Sequence, residues 1–276
     1  MHQVNTDLIP FLEGKTKSLR KNIIKMLASG QAGHPGGSLS VVEIITVLYY
    51  YILKIDPKNP NWEERDRMIL SKGHASPALY AALGDLGFFD PNVFDTFDHI
   101  NSILQAHPDM SKTPGVDMST GSLGQGFSAA VGMALGGKLD RKNFKVYVIL
   151  GDGELQSGQI WEAAMFAAHR KLNHLIGILD YNKLQLYGEV SKIMNIEPIK
   201  EKWQAFGWYV VEGDGHDFRV LIDRLTSLRD EPRDCPSILI AHTIKGRGIS
   251  FMEHKVEWHA RAMNREEIDQ ALKELG

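Results

Sequence analysis

The chain has 276 residues, of which 43% are hydrophobic and 24% charged, and a net charge of −3. This is the composition of a folded globular protein, and its mild acidity argues against a nucleic-acid or anionic-membrane partner. The single cysteine, Cys235, excludes an internal disulfide and fits a reducing, cytoplasmic setting. No signal-peptide pattern is present, and no uncharged apolar run reaches the roughly 18 residues of a membrane span.

Residues 11–30 carry apolar positions at helical spacing (Leu19, Ile23, Met26, Leu27), and Gly30 and Gly33 end that helix. Ser38 or Ser40 is expected to cap a second helix running to about Leu53, with Glu43 completing a capping box on Ser40. That segment is apolar almost all round, which predicts burial. Met68 to Leu70 reads as a short strand and Ala75 to Leu86 as a helix. From about Gln105 to Gly121 runs a loop rich in Gly, Pro, Ser and Thr, a kind of segment usually functional or disordered in a compact domain. A small-residue helix follows, Gly126 to Gly136.

Beyond residue 145 the alternation is regular. Strands are predicted at 145–150, 175–180, Trp208 to Val211 and Ser237 to Ala241. Helices are predicted from Ile160 to Lys171, near Glu201, from Asp217 to Leu228 and from Arg265 to Leu275. Near-continuous apolar strands alternating with helices predict an α/β fold: a mostly parallel sheet with helices on both faces. Length alone permits one or two domains.

The most informative motif is Gly151-Asp152-Gly153 at the end of one strand, answered by Asn182 at the end of the next. Open α/β sheets bind ligands at the carboxyl ends of their strands. Asp and Asn oxygens suit Mg²⁺, which takes few protein ligands and fills its octahedron with phosphates and water. The flanking glycines let the backbone approach a phosphate. A strand-tip carboxylate such as Asp152 is expected outside the core. Further candidate segments are Gly33-His34-Pro35-Gly36-Gly37, Ser71-Lys72-Gly73-His74, Ala106-His107-Pro108-Asp109, Ser119 through Gly126, Lys245-Gly246-Arg247-Gly248 and Trp258-His259. Each alone is most often a turn, a solvated loop or helix packing. His254 and His259 lack the Cys or acidic partners of a zinc site.

Taken together and in this order, these segments resemble the N-terminal half of transketolase over essentially the whole chain. The resemblance implies a single diphosphate-binding domain at 1–276. The pyrimidine-binding and C-terminal domains would then lie on a partner chain, making this the N-terminal subunit of a split transketolase. It implies thiamine diphosphate and Mg²⁺ as cofactors, with Asp152 and Asn182 ligating the metal by side chains and Leu184 by its carbonyl. Gly153, the backbone at Gly121 and Leu123, His74, Lys245 and His259 would contact the cofactor. His34, His107 and His259 would face the substrate, His259 also assisting proton transfer. Sugar phosphates would be the substrates, and a heterotetramer with the C-terminal subunit the assembly. The glutamate that activates the cofactor's aminopyrimidine would come from the partner, so this chain alone is expected to be inactive.

The Gly-Asp-Gly and Asn logic also occurs in 2-oxoacid dehydrogenase α subunits and deoxyxylulose phosphate synthases. The Gly-His-Pro-Gly, Gly-Ser-Leu-Gly-Gln-Gly and Trp-His segments favour transketolase, including a version specialised for an unusual ketose. A non-catalytic cofactor-binding module is disfavoured by the intact candidate residues. A Rossmann dehydrogenase is disfavoured by the missing glycine fingerprint. Three positions depart from the family pattern. Ser157 stands where a glutamate often links two active sites, leaving Glu154 and Glu162 for such a relay. Tyr187 stands where an acidic residue is frequent, and Ala260 replaces the glycine after Trp-His.

Overall fold

A computed structural model describes residues 7–30 and 33–276. Its first long helix, α1 (Leu8–Ser29), turns Leu12, Leu19, Ile23 and Leu27 inward on one face, as the spacing predicts. The short α2 (Pro35–Leu39) and α3 (Val42–Val47) follow, then a π-helical turn at Leu48–Ile52. Strand β1 (Arg67–Leu70), α4 (Ser76–Leu86) and α5 (Gln125–Leu139) lead into the regular half of the chain. There β2 (Val146–Gly151), α6 (Gly158–His169) and β3 (Leu175–Tyr181) precede a small hairpin of β4 (Leu184–Gln185) and β5 (Gly188–Glu189). The chain continues through α7 (Val190–Ile193), α8 (Ile199–Ala205), β6 (Tyr209–Asp214), α9 (Phe218–Asp230), β7 (Ser237–His242) and α10 (Arg265–Glu274).

The main sheet has the order β1-β2-β3-β7-β6, and every pairing in it is parallel. Alternate strand residues serve two cores, as the period of two requires. Tyr147, Ile149, Ile176, Ile178 and Leu239 face α1, α3, α4 and α9. Val148, Leu150, Leu179, Ile238 and Ile240 face α5, α6 and α8. Each fully buried Ile, Leu or Val contributes about 1.5–3 kcal/mol, so burial of both faces fixes the register. That register pairs Gly151 with Asp180. It therefore sets Asp152 and Asn182 side by side at the carboxyl edge. No helix among the described residues is long and apolar enough to cross a membrane.

The second helix departs from its sequence expectation. A separate short helix, α2, precedes it, it runs from Val42 through the π-turn to Ile52, and neither serine caps it. Ser38 Oγ donates to the His34 carbonyl (2.8 Å), while Ser40 Oγ donates to Asp180 Oδ2 (2.7 Å). Glu43 is held by Arg20 instead of reaching back to Ser40. The energies decide this outcome. A helix cap is worth about 1 kcal/mol, whereas stripping a partner from a buried ionic group costs about 3–5 kcal/mol.

Candidate functional site

The tips of β2 and β3 open into a cavity of about 290 Å³, lined by Lys72, His74, Leu123, Asp152, Gly153, Asn182, Leu184, Lys245 and His259, among others. Asp152 is buried, at 3% exposure, contrary to the expectation for a strand tip. Loops from both sides close over it, and its oxygens accept N–H bonds from Gly153 (2.7 Å) and from Lys183. Burial, reinforced by the nearby negative charge of Asp180, pushes its carboxyl well above the usual carboxylate range. A cation at this point would relieve both effects. Lys245 Nζ supplies one, donating to the Leu184 carbonyl (2.9 Å) and meeting His259 Nδ1 at 2.9 Å. Burial in turn pulls the Lys245 ammonium below the usual lysine range.

Asn182 is oriented by a residue to which the sequence motif Asp180-Tyr181-Asn182 assigned no role. Asp180, fully buried, accepts from Asn182 Nδ2 (3.0 Å), Lys72 Nζ (2.5 Å), Ser40 Oγ (2.7 Å) and Thr243 Oγ1. Burial alone would raise its carboxyl, but the Lys72 charge and these hydrogen bonds outweigh that and hold it low. Because Nδ2 is committed to Asp180, Asn182 turns Oδ1 the other way, where Leu184 N meets it at 3.1 Å. The signal was present as two separate pieces, Lys72 in the Ser-Lys-Gly-His segment and Asp180 at a strand end. Their separation of 108 residues hid the pairing.

These donors suit a hard divalent cation. One carboxylate, one amide oxygen and one carbonyl supply limited charge and leave room for phosphate and water. The Lys245 ammonium already donates to the Leu184 carbonyl, so that oxygen faces a cationic group. Among the described residues no three His, Cys, Asp or Glu side chains gather as a zinc site would need.

Four of the predicted histidines converge beside the cavity. The His34 ring lies 5.0 Å from His74, 6.3 Å from His107 and 5.7 Å from His259, and His74 lies 5.2 Å from His259. Burial, then the neighbouring His107 and Lys245, lowers His34 to about 4. Burial and Lys245 lower His259 to about 3, and burial with Lys72 takes His74 well down. His34, His74 and His259 are therefore neutral at neutral pH. An unfolded histidine protonates near 6.5, so at these three sites the unfolded chain binds more protons than the folded one between pH 6.5 and 4. The stability contributed by these histidines falls as pH drops through that window. Thermal midpoints measured across it are expected to fall less steeply for His34→Gln than for the unaltered chain; equal slopes would contradict this account.

The glycines of these motifs serve close packing. A Cβ on Gly36 would lie 2.8 Å from the Trp258 carbonyl and 2.9 Å from Lys245 Cγ, so only glycine brings the His34 turn against Lys245. Gly121 stacks on His107, where a Cβ would come within 3.1 Å of the ring. Glu154 accepts from Ser71 Oγ (2.5 Å), Gly124 N (2.7 Å) and Gly151 N (3.1 Å), pinning the Ser122 to Gly124 loop to the β2 tip. It is a buried structural clamp, and burial pushes its carboxyl up. Glu162 lies exposed on α6. Tyr187, 84% exposed, stands at the cavity mouth on the β4–β5 hairpin, and Ala260 is exposed beyond His259. The hairpin went unpredicted because two-residue strands carry no periodicity.

The family described as "Transketolase, thiamine diphosphate binding domain" matches residues 15–276. The chain is 46% identical over 264 residues to the 6-deoxy-6-sulfo-D-fructose transketolase subunit SqwG of Clostridium sp., covering 96% of each chain. It is 44% identical to an apulose-4-phosphate transketolase subunit of Actinobacillus succinogenes, covering 96% of this chain and 95% of that one. Human transketolase is 34% identical, with 99% of this chain covering 43% of that protein. The crystal structure of transketolase from Campylobacter jejuni superposes with a TM-score of 0.91 at 33% identity, again over 99% of this chain and 43% of that one.

Proposed function

The chain belongs to the transketolase family, as its thiamine-diphosphate-binding domain, and from that premise we propose that it is the cofactor-anchoring N-terminal subunit of a split transketolase. The complete enzyme moves a two-carbon ketol unit from a ketose phosphate to an aldose phosphate. The observation that carries the reading is the convergence of Asp152, Asn182, the Leu184 carbonyl and the Lys245 ammonium in one cavity at neighbouring strand tips. Family membership alone would leave open whether this copy still anchors a cofactor; this constellation supports that it does.

In this proposal Asp152, Asn182 and the Leu184 carbonyl hold Mg²⁺. His74, Lys245, Gly153 and the backbone at Gly121 and Leu123 hold the diphosphate. Thiamine diphosphate, when bound, supplies the electron sink for breaking a carbon–carbon bond beside a carbonyl. The chain's own residues supply orientation and proton handling. His34, His107 and His259 face the sugar. His259 Nδ1 accepts from the Lys245 ammonium in this arrangement, so its proton sits on Nε2. That nitrogen can donate to a substrate hydroxyl or to a developing alkoxide, the role an imidazole neutral at pH 7 performs well.

The partner is a second polypeptide carrying the remaining transketolase domains, in a heterotetramer. The cofactor lies where the two meet. Relatives named for a sulfonated ketose and for apulose 4-phosphate favour a ketose with a terminal anionic group as substrate. The test is ketol transfer by the chain mixed with its partner, Mg²⁺ and thiamine diphosphate, over a panel of ketose phosphates and sulfonates. Cofactor binding without transfer to any aldose would remove the proposal.

A further inference from the structure

A buried group of three side chains that does not line the cavity holds the turn that does. Arg20 on α1 donates from Nη2 to both oxygens of Glu43 on α3, at 2.7 and 2.9 Å. Glu43 Oε2 lies 3.0 Å from Nδ1 of His216, in the segment between β6 and α9. Each of the three side chains is 8% exposed. Stability alone is a weak reason for such a group, because buried ion pairs are often replaceable by apolar side chains. What this one does is grip a turn from both ends. His216 Nε2 accepts from Ile244 N (2.8 Å), just before Lys245, and Arg20 Nε donates to the Arg247 carbonyl (2.9 Å), just after it.

The turn between these grips has little freedom of its own. Gly246 sits at φ 79° with its N–H on the Gly36 carbonyl (3.1 Å), and Gly248 at φ 93°. A Cβ on Gly248 would lie 2.6 Å from Arg20 Nε, so only glycine leaves the guanidinium room there. The hydrogen bonds also fix the imidazole. Nε2 accepts from a main-chain N–H and carries no proton, so Nδ1 carries it and donates to Glu43. The turn requires an acceptor on one side of the ring and a donor on the other.

We infer that His216, oriented by the Arg20–Glu43 ion pair, is a positioning residue that sets where the Lys245 ammonium stands, so that cofactor anchoring depends on a side chain outside the cofactor cavity. The inference rests on the assignment of that cavity to thiamine diphosphate. His216→Gln keeps an acceptor for Ile244 N, and His216→Phe fills the space without one. The cofactor dissociation constant, measured calorimetrically with Mg²⁺ and the partner subunit, is expected to rise about 10-fold in His216→Phe, the low end for losing an outer-shell contact. In His216→Gln it should stay within about threefold of the unaltered pair. A merely structural residue would make affinity track the thermal midpoint rather than the presence of the acceptor. Unchanged affinity in folded His216→Phe overturns the inference. Should that variant fail to fold, nitrogen NMR of the unaltered full chain decides. A His216 ring protonated on Nδ1 and bare on Nε2 supports the inference, and the opposite tautomer overturns it. Failure of the unaltered pair to bind thiamine diphosphate overturns the cofactor reading beneath it, and this inference with it.

Discussion

Replacing Asp152 by Asn is expected to weaken Mg²⁺-dependent binding of thiamine diphosphate at least 100-fold and to leave the fold in place. Losing an outer-shell partner of a metal costs about 10–100-fold, and Asp152 is the one carboxylate proposed to touch the metal directly. Asn182 and the Leu184 carbonyl are neutral, so no other protein donor proposed for the metal carries a balancing charge. The fold should survive because two effects oppose one another. Asn retains one acceptor oxygen for the Gly153 and Lys183 N–H groups, so about one hydrogen bond, worth roughly 1 kcal/mol, is lost. Against this, the substitution removes a buried charge facing Asp180, whose burial pushes the Asp152 carboxyl up. Calorimetric titration of cofactor with Mg²⁺, paired with a thermal melt, checks both halves. Unchanged affinity would contradict the assignment of Asp152.

The second large effect is on turnover. The chain alone is expected to transfer ketol units at least about 1,000-fold more slowly than the chain with its partner. The reason lies in the cavity's own acids. Asp152, Glu154 and Asp180 line it, and each is already committed. Asp152 and Glu154 are held by main-chain N–H groups, and Asp180 by Lys72 and its neighbours. Among the described residues lining the cavity no carboxyl is left free to protonate a cofactor ring. Loss of such a group costs about 10²–10⁴-fold. The mouth itself exposes apolar side chains, with Leu123 at 43%, Leu186 at 44% and Tyr187 at 84%. Apolar groups clustered at a cleft mark a surface meant for covering. Titrating the partner subunit into a fixed amount of this chain should raise turnover to a plateau. Full turnover before any partner is added would contradict the division of labour.

What the sequence made legible follows from how local each signal was. Val146 to Leu150 and Leu175 to Asp180 read as buried parallel strands because a sheet covered on both faces needs continuous apolar runs. The residues at their ends followed from where such sheets bind ligands. His34, His74, His107 and His259 were recognisable from short motifs, and the fold does bring their rings together. The supporting contacts were not legible because they close over long stretches of chain. Lys72 meets Asp180 across 108 residues, and Glu43 meets His216 across 173. Ser40 and Glu43 show the consequence. Locally they spell a capping box, but Asp180 and Arg20 offer each a stronger partner, and the helix starts at Val42 with no side-chain cap. The depth of Asp152 was missed for a related reason, since the Lys183 loop that buries it carries no pattern of its own.

The account turns on a divalent cation held between the tips of β2 and β3. Its most direct test is a crystal of the chain with its partner and thiamine diphosphate, grown with Mn²⁺ in place of Mg²⁺ and read by anomalous scattering. The account predicts one strong peak within bonding distance of an Asp152 carboxylate oxygen, Asn182 Oδ1 and the Leu184 carbonyl, with a diphosphate oxygen completing the contacts. Bound thiamine diphosphate with the Mn²⁺ peak elsewhere, or with no peak at all, would contradict it.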